Sequence, residues 1–215
     1  IYHAHEKGII RVAQNINSLY IDFLKDTKSV NDFLTVEPSN ADFFIKGEST
    51  YLTFHLQANE KMNADLQLIR DSKQTGAFGI ATRLDQLANN LHQYNYLFDS
   101  LVYLVYKRGF RNFGLEGELS DYGQLIETAP GLTNRDIYQL RKIENDYFFN
   151  NDTSSVASFK KLLPVLQEAI SNNRRLSAYD KAQTKNLVDS YAGAFLRLVE
   201  LDKQAGIRKN LALRA

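Results

Sequence analysis

Cysteine is absent from the 215 residues, which excludes disulfide staples and thiolate metal sites. The compartment stays open on that ground, because an exported domain and a cytosolic one can both dispense with thiols. Proline occurs three times, as Pro38, Pro130 and Pro164. Between these, apolar residues recur at helical spacing with almost no alternating β-branched runs, so the fold class is all-α. Excess charge is also missing: 26 Lys and Arg face 25 Asp and Glu, for a net charge of +1. The longest basic tracts are pairs such as Lys160-Lys161 and Arg174-Arg175, so nucleic acid is not an expected partner. The longest apolar run, at residues 96–106, is interrupted by Asp99 and is about half of the roughly 20 residues that a membrane span needs.

What is present is enough apolar material, 44% of the chain, to build a sizeable core in one large domain or two small stacked ones. The chain opens at Ile1 without a Met and stops at Ala215 inside a helical pattern, which reads as a piece of a longer product.

Ile9, Val12, Ile16, Leu19, Phe23 and Val30 fall at helical steps and predict one face of a long helix over residues 3–34. Pro38 ends it, since the residue before a proline is pushed out of the α region. A second helix is predicted over 40–71 with a kink at Gly47, and a third over 79–107 capped by Gly109. Residues 110–132, rich in glycine and holding Pro130, read as loop. Thr133-Asn134-Arg135-Asp136 and Ser177-Ala178-Tyr179-Asp180 have the form of capping boxes with Asp in the usual Glu position. They open helices to about residue 149 and from 177 to the chain end, with another starting at Asp152 or Thr153. The lengths predict an elongated molecule.

The chain also repeats itself. Tyr94, Phe98, Leu101, Val102, Gly109 and Arg111 are matched by Tyr191, Phe195, Leu198, Val199, Gly206 and Arg208, all 97 residues on. Upstream, Asp42-Phe43-Phe44 matches Asp146-Tyr147-Phe148 at an offset of 104. Two helical modules of similar plan account for this.

The segment Leu140-Arg141-Lys142-Ile143-Glu144-Asn145-Asp146-Tyr147 resembles the Arg-Arg-x-Glu-Lys-Asp-Phe motif of the helical bimodular sensor domains of bacterial chemoreceptors and sensor histidine kinases. It departs at Lys142, Asn145 and Tyr147. Phe98, Leu101 and Val102, followed by Lys107-Arg108-Gly109-Phe110 and Gly114-Leu115-Glu116-Gly117-Glu118-Leu119, are similar to that family's glycine-rich segment between modules. The resemblance implies two stacked four-helix bundles sharing long helices and one sensor domain spanning residues 1–215. The membrane-proximal module would draw on about residues 1–25 and 185–215 with part of the middle, and the distal module on the remainder. The implied location is extracytoplasmic, the periplasmic part of an inner-membrane protein, between two transmembrane helices. The implied state in the full receptor is a homodimer, and the implied ligands are small carboxylates.

Arginine suits a carboxylate because its fork pairs bidentately and keeps its charge. Arg141 is the first candidate, with an ion pair to Glu144 as the alternative. Arg11 and Gln14 lie one helical turn apart; Gln14 stands where the family pairs a second arginine, which argues against a di- or tricarboxylate. Arg208, and after it Arg197, would lie level with Arg11 if both chain ends point the same way. His3 and His5 face different sides of a helix, and His55 and His92 stand alone, so no metal site is expected. No cofactor is implied, and the usual catalytic constellations are missing, so the chain is not expected to be an enzyme. The expected function is ligand sensing, with helices displaced by about 1–2 Å. Three rivals remain: a module that reads a periplasmic binding protein, a cytosolic helical scaffold, and a bundle enzyme with a metal core, which would need inward carboxylates and histidines.

Overall fold

The computed structural model describes residues 2–149 and 153–206, with side chains from residue 6 onward, and these residues are all-helical. They divide into two compact units, Ile1–Tyr103 and Leu104–Ala215. Each unit is contiguous in sequence. In the first unit the long opening helix packs along the third helix.

That first unit contains α1 (Tyr2–Val36), a 3-10 turn (Glu37–Ser39), α2 (Ala41–Lys46), α3 (Thr50–Arg70), α4 (Lys73–Ala77) and most of α5 (Ala81–Arg108). The helix expected over 40–71 is two helices. Gly47 adopts φ 69° and closes α2, and the Ser49 hydroxyl then accepts the Tyr51 N–H to open α3. α1 and α3 pack antiparallel along a seven-residue repeat: Val12, Leu19, Asp26 and Phe33 on one helix, His55, Met62 and Ile69 on the other. Ser29 donates to the Tyr51 carbonyl at 3.3 Å, Asp26 meets His55, and Asp22 meets Lys61, so residue numbers fall on one helix as they rise on the other. The seam thus carries carboxylates where the sequence pattern placed only apolar residues. Ile9, Ile16 and Phe23, expected in the core, are exposed on the flank of that seam. α5 adds Leu84 and Leu91 to the same apolar cluster.

In the second unit, α6 (Gly114–Glu127), α7 (Asn134–Phe149), α8 (Ser155–Asn172) and α9 (Ala178–Ala205) share one core built on Leu119, Leu140, Phe159 and Phe195. The expected capping boxes are present. Asp136 N–H donates to Thr133 Oγ1 while Thr133 N–H donates to Asp136 Oδ2, and Asp180 N–H donates to Ser177 Oγ. The start expected at Asp152 lies outside the described residues; α8 opens after Thr153, with Ser154 at its N-cap. The last helix does not continue unbroken: α9 ends at Ala205, and Gly206 takes φ 62°.

The stretch 110–132, expected as loop, holds α6. Its glycines are packing residues rather than breakers. A Cβ at Gly117 would stand 2.3 Å from the Asn112 carbonyl carbon, and one at Gly123 would stand 2.4 Å from Arg141 Nη1. The tightest approach precedes them: Gly109 has φ 80°, and a Cβ there would fall 1.8 Å from the Phe113 carbonyl oxygen. Gly109→Ala is therefore expected to cost at least about 2 kcal/mol, combining left-handed strain with a backbone clash; urea denaturation of the variant measures it.

The sequence repeat is a structural one. α5 and α9 each run for 28 residues, and each begins and ends 97 residues from the other, at Ala81 and Ala178, Arg108 and Ala205. Both are followed by a left-handed glycine, Gly109 and Gly206. His55 packs on Phe98 at 4.5 Å and on Tyr94 at 5.9 Å between ring centroids. In the second unit Phe159 packs on Phe195 at 4.5 Å and on Tyr191 at 6.0 Å. His55 and Phe159 are 104 residues apart, the offset of the upstream repeat.

Candidate functional site

The repeat makes one difference between the units conspicuous. In the second unit α6 lies close along α9, and Thr184 of α9 donates its hydroxyl to the Pro130 carbonyl just beyond α6. In the first unit no described helix lies in that way along α5, whose Leu84 and Leu91 join the apolar cluster of α1 and α3. Thr184 is 1% exposed, whereas its counterpart Leu87 in α5 is 40% exposed.

Beside Leu87 lies a cavity of about 460 Å³, open on one side. Ile16, Leu19, Tyr20 and Phe23 of α1 form one wall, and Met62 and Leu66 of α3 form the floor. Leu87, Asn90, Leu91 and Tyr94 of α5 complete it. No charged side chain lines it, and the volume lies in the range of small-molecule sites.

Tyr94 presents its ring, not its hydroxyl, to the cavity. Its hydroxyl is buried out of reach of the open cavity, beside Asp26 and Thr27. Burial, and then the nearby charge of Asp26, pushes the phenol well above its ordinary range, so it is a neutral donor. The counterpart Tyr191 differs in one respect: its hydroxyl donates to Glu144, which also pairs with Arg141 at 2.8 Å. Two buried oxygens without a partner among the described residues, on Asp65 and Asn95, belong to residues that do not line the cavity.

Behind the cavity the α1–α3 seam is acidic. Asp26, fully buried, receives His55 Nδ1 at 2.8 and 3.0 Å, and Asp22 holds Lys61 at 2.6 Å. Among the described residues no group of His, Cys, Asp or Glu has the disposition to hold a metal ion.

The residues singled out from sequence fall elsewhere. Arg11 and Gln14 are both exposed on α1 and do not line the cavity. Arg141 lies on α7 in the second unit, engaged with Glu144 over Gly123. Arg208 lies outside the described residues, and Arg197 is exposed and pairs with Glu118. His92 is exposed, and the side chains of His3 and His5 lie outside the described residues. The structure thus sets Arg11 beside Gln14 and leaves Arg141 in the other unit. Sequence reasoning missed the cavity, although its one legible trace was present: a polar Asp22 and Asp26 beside an apolar stripe too broad for a single seam.

The Arg141 cluster has a titration of its own. Burial raises the Glu144 carboxyl above its usual range, although Tyr191 and Arg141 pull it the other way. Burial alone would lower the Arg141 guanidinium, but the charge of Glu144 outweighs it. Because the Glu144 pKa is raised in the folded state, its contribution to stability is full below the ordinary carboxyl value of about 4.5 and is lost as pH rises through the folded value. The stability of the wild type relative to Glu144→Gln is therefore expected to fall as pH climbs from about 4.5, measured by urea titration at stepped pH.

No family model, no curated protein and no solved structure matches the chain. Among the described residues no helix is long and apolar enough to cross a membrane.

Proposed function

We propose that this chain is the extracytoplasmic sensory domain of a bacterial transmembrane receptor, a sensor histidine kinase or chemoreceptor, with two stacked helical modules on the helical bimodular plan. Its input site is the cavity of the first unit, where a small molecule bound against α1 biases how that helix packs on α3 and α5. The observation that carries the reading is the cavity itself: about 460 Å³ of apolar space against α1 in the first unit. The recurrence of helix bounds at a 97-residue offset supports two modules of common design. The ligand proposed is no longer a carboxylate, because no cation lines the cavity and Arg141 already has an acidic partner.

The absence of cysteine makes the location directly testable. A single cysteine at the exposed Tyr179, introduced as Tyr179→Cys in the full-length receptor, is expected to react with a membrane-impermeant maleimide in cells whose inner membrane is intact. Labelling only after inner-membrane lysis would identify a cytosolic scaffold instead.

A further inference from the structure

Ligand sites pair apolar walls with a few placed polar groups that fix orientation. The cavity of the first unit has the walls without the polar groups. Its floor is Met62 and Leu66 of α3, both buried, with the buried Leu91 of α5 beside them. Tyr94 turns its ring to the space and its hydroxyl away from it, beside Asp26 and Thr27. Asn90 contributes an amide, but from an exposed position on α5. We propose that the cavity binds an uncharged, hydrocarbon-like small molecule, recognised by the burial of carbon alone. This names the ligand class of the input site and rests on the reading above.

Charge of either sign is disfavoured by the same walls. A carboxylate would give up its hydration to Met62, Leu66 and Leu91 and find no cation among the lining residues. An ammonium group fares no better, because Asp26 already faces His55 and Asp22 already holds Lys61. A hydrocarbon has no hydration of that kind to lose. It also takes apolar surface of the protein out of water, since Ile16, Phe23 and Leu87 stand exposed on the walls. The Phe23 and Tyr94 rings lie 5.6 Å apart between centroids, and such rings add to the contact with a guest that is itself aromatic.

Calorimetric titration of the purified chain with ethylbenzene, benzyl alcohol, benzylamine and phenylacetate tests this, since the four share a benzyl group and differ in what it carries. Ethylbenzene is expected to bind saturably, benzyl alcohol about tenfold more weakly, and the two charged probes not at all. Across benzene, toluene and ethylbenzene the affinity is expected to rise about fourfold for each carbon added. Leu87→Trp, made at an exposed position on the wall, is expected to abolish binding, with the helical circular dichroism unchanged. Binding of benzyl alcohol, benzylamine or phenylacetate that matches ethylbenzene and is lost in Leu87→Trp would overturn the ligand class and leave the input site standing. Silence from all the probes, or binding indifferent to Leu87→Trp, would overturn the site as well. If the silent chain then self-associates and Leu87→Arg dissolves the association, the apolar walls are covered by a second copy rather than by a small molecule.

Discussion

His55→Phe is expected to destabilise the protein by about 3–5 kcal/mol, despite placing in the first unit the residue that the second unit carries at the same place. The cause is Asp26: it is fully buried, and His55 faces both of its oxygens. Removing one member of a buried polar pair leaves the other's charge without compensation, and that penalty exceeds the gain from a better aromatic contact with Phe98. The double variant Asp26→Leu/His55→Phe replaces the whole layer with apolar groups and is expected to recover the loss or exceed wild-type stability. Chemical denaturation of the two single variants and the double one forms a cycle. A His55→Phe cost below about 1 kcal/mol would show that the pair contributes little beyond an ordinary hydrogen bond.

Arg108→Met is the second large effect, expected at about 3 kcal/mol. Arg108 Nε meets Asp202 Oδ1 at 2.7 Å and Nη1 meets Glu116 Oε2 at 2.7 Å, while Tyr147 donates to the other Asp202 oxygen at 3.2 Å. The Asp202 side chain is 1% exposed. Burial alone would lower the guanidinium, yet the charges of Asp202 and Glu116 more than offset it and hold Arg108 above its usual value. The Glu116 carboxylate also accepts the N–H of Arg111, whose φ is 55°. Loss of the guanidinium therefore loosens the turn after α5 as well as the core. Arg108→Lys keeps the charge but not the two-pronged reach, so it is expected to recover only part of the stability. Thermal unfolding of both variants beside wild type measures the difference.

The parts of the fold that were legible in the sequence are those governed by local chemistry. Pro38, Gly109 and the Thr133 and Ser177 caps act within one turn of themselves, so their positions specify where helices end and begin. The repeat was legible because Tyr94, Phe98 and Gly109 do the same work as Tyr191, Phe195 and Gly206. What failed depends on neighbours distant in sequence. Gly117 and Gly123 look like breakers until Asn112 and Arg141 are seen to press against them, which is why α6 went unrecognised. The core face of α1 was misplaced because hydrophobicity alone marks Ile9, Ile16 and Phe23, whereas the seam with α3 is held in part by Asp26 and His55. The cavity was invisible for a related reason: it is a gap between side chains of α1, α3 and α5, and sequence periodicity reports only the elements present. Arg11, Gln14 and Arg141 were chosen for their chemistry, and chemistry without position brings together residues that the two units hold separately.

The polar layer in the α1–α3 seam also limits how α1 can move. An axial slip of one helical turn is about 5.4 Å and would bring the Asp26 carboxylate opposite the methyl group of buried Ala58, away from His55. The pair thus acts as a detent: α1 can tilt or rotate while Asp26 and His55 stay within reach, but it cannot ratchet to the next register without stranding a buried charge. Whatever occupies the cavity beside Phe23, one turn from that detent, works on a helix whose travel is confined to a fraction of a turn.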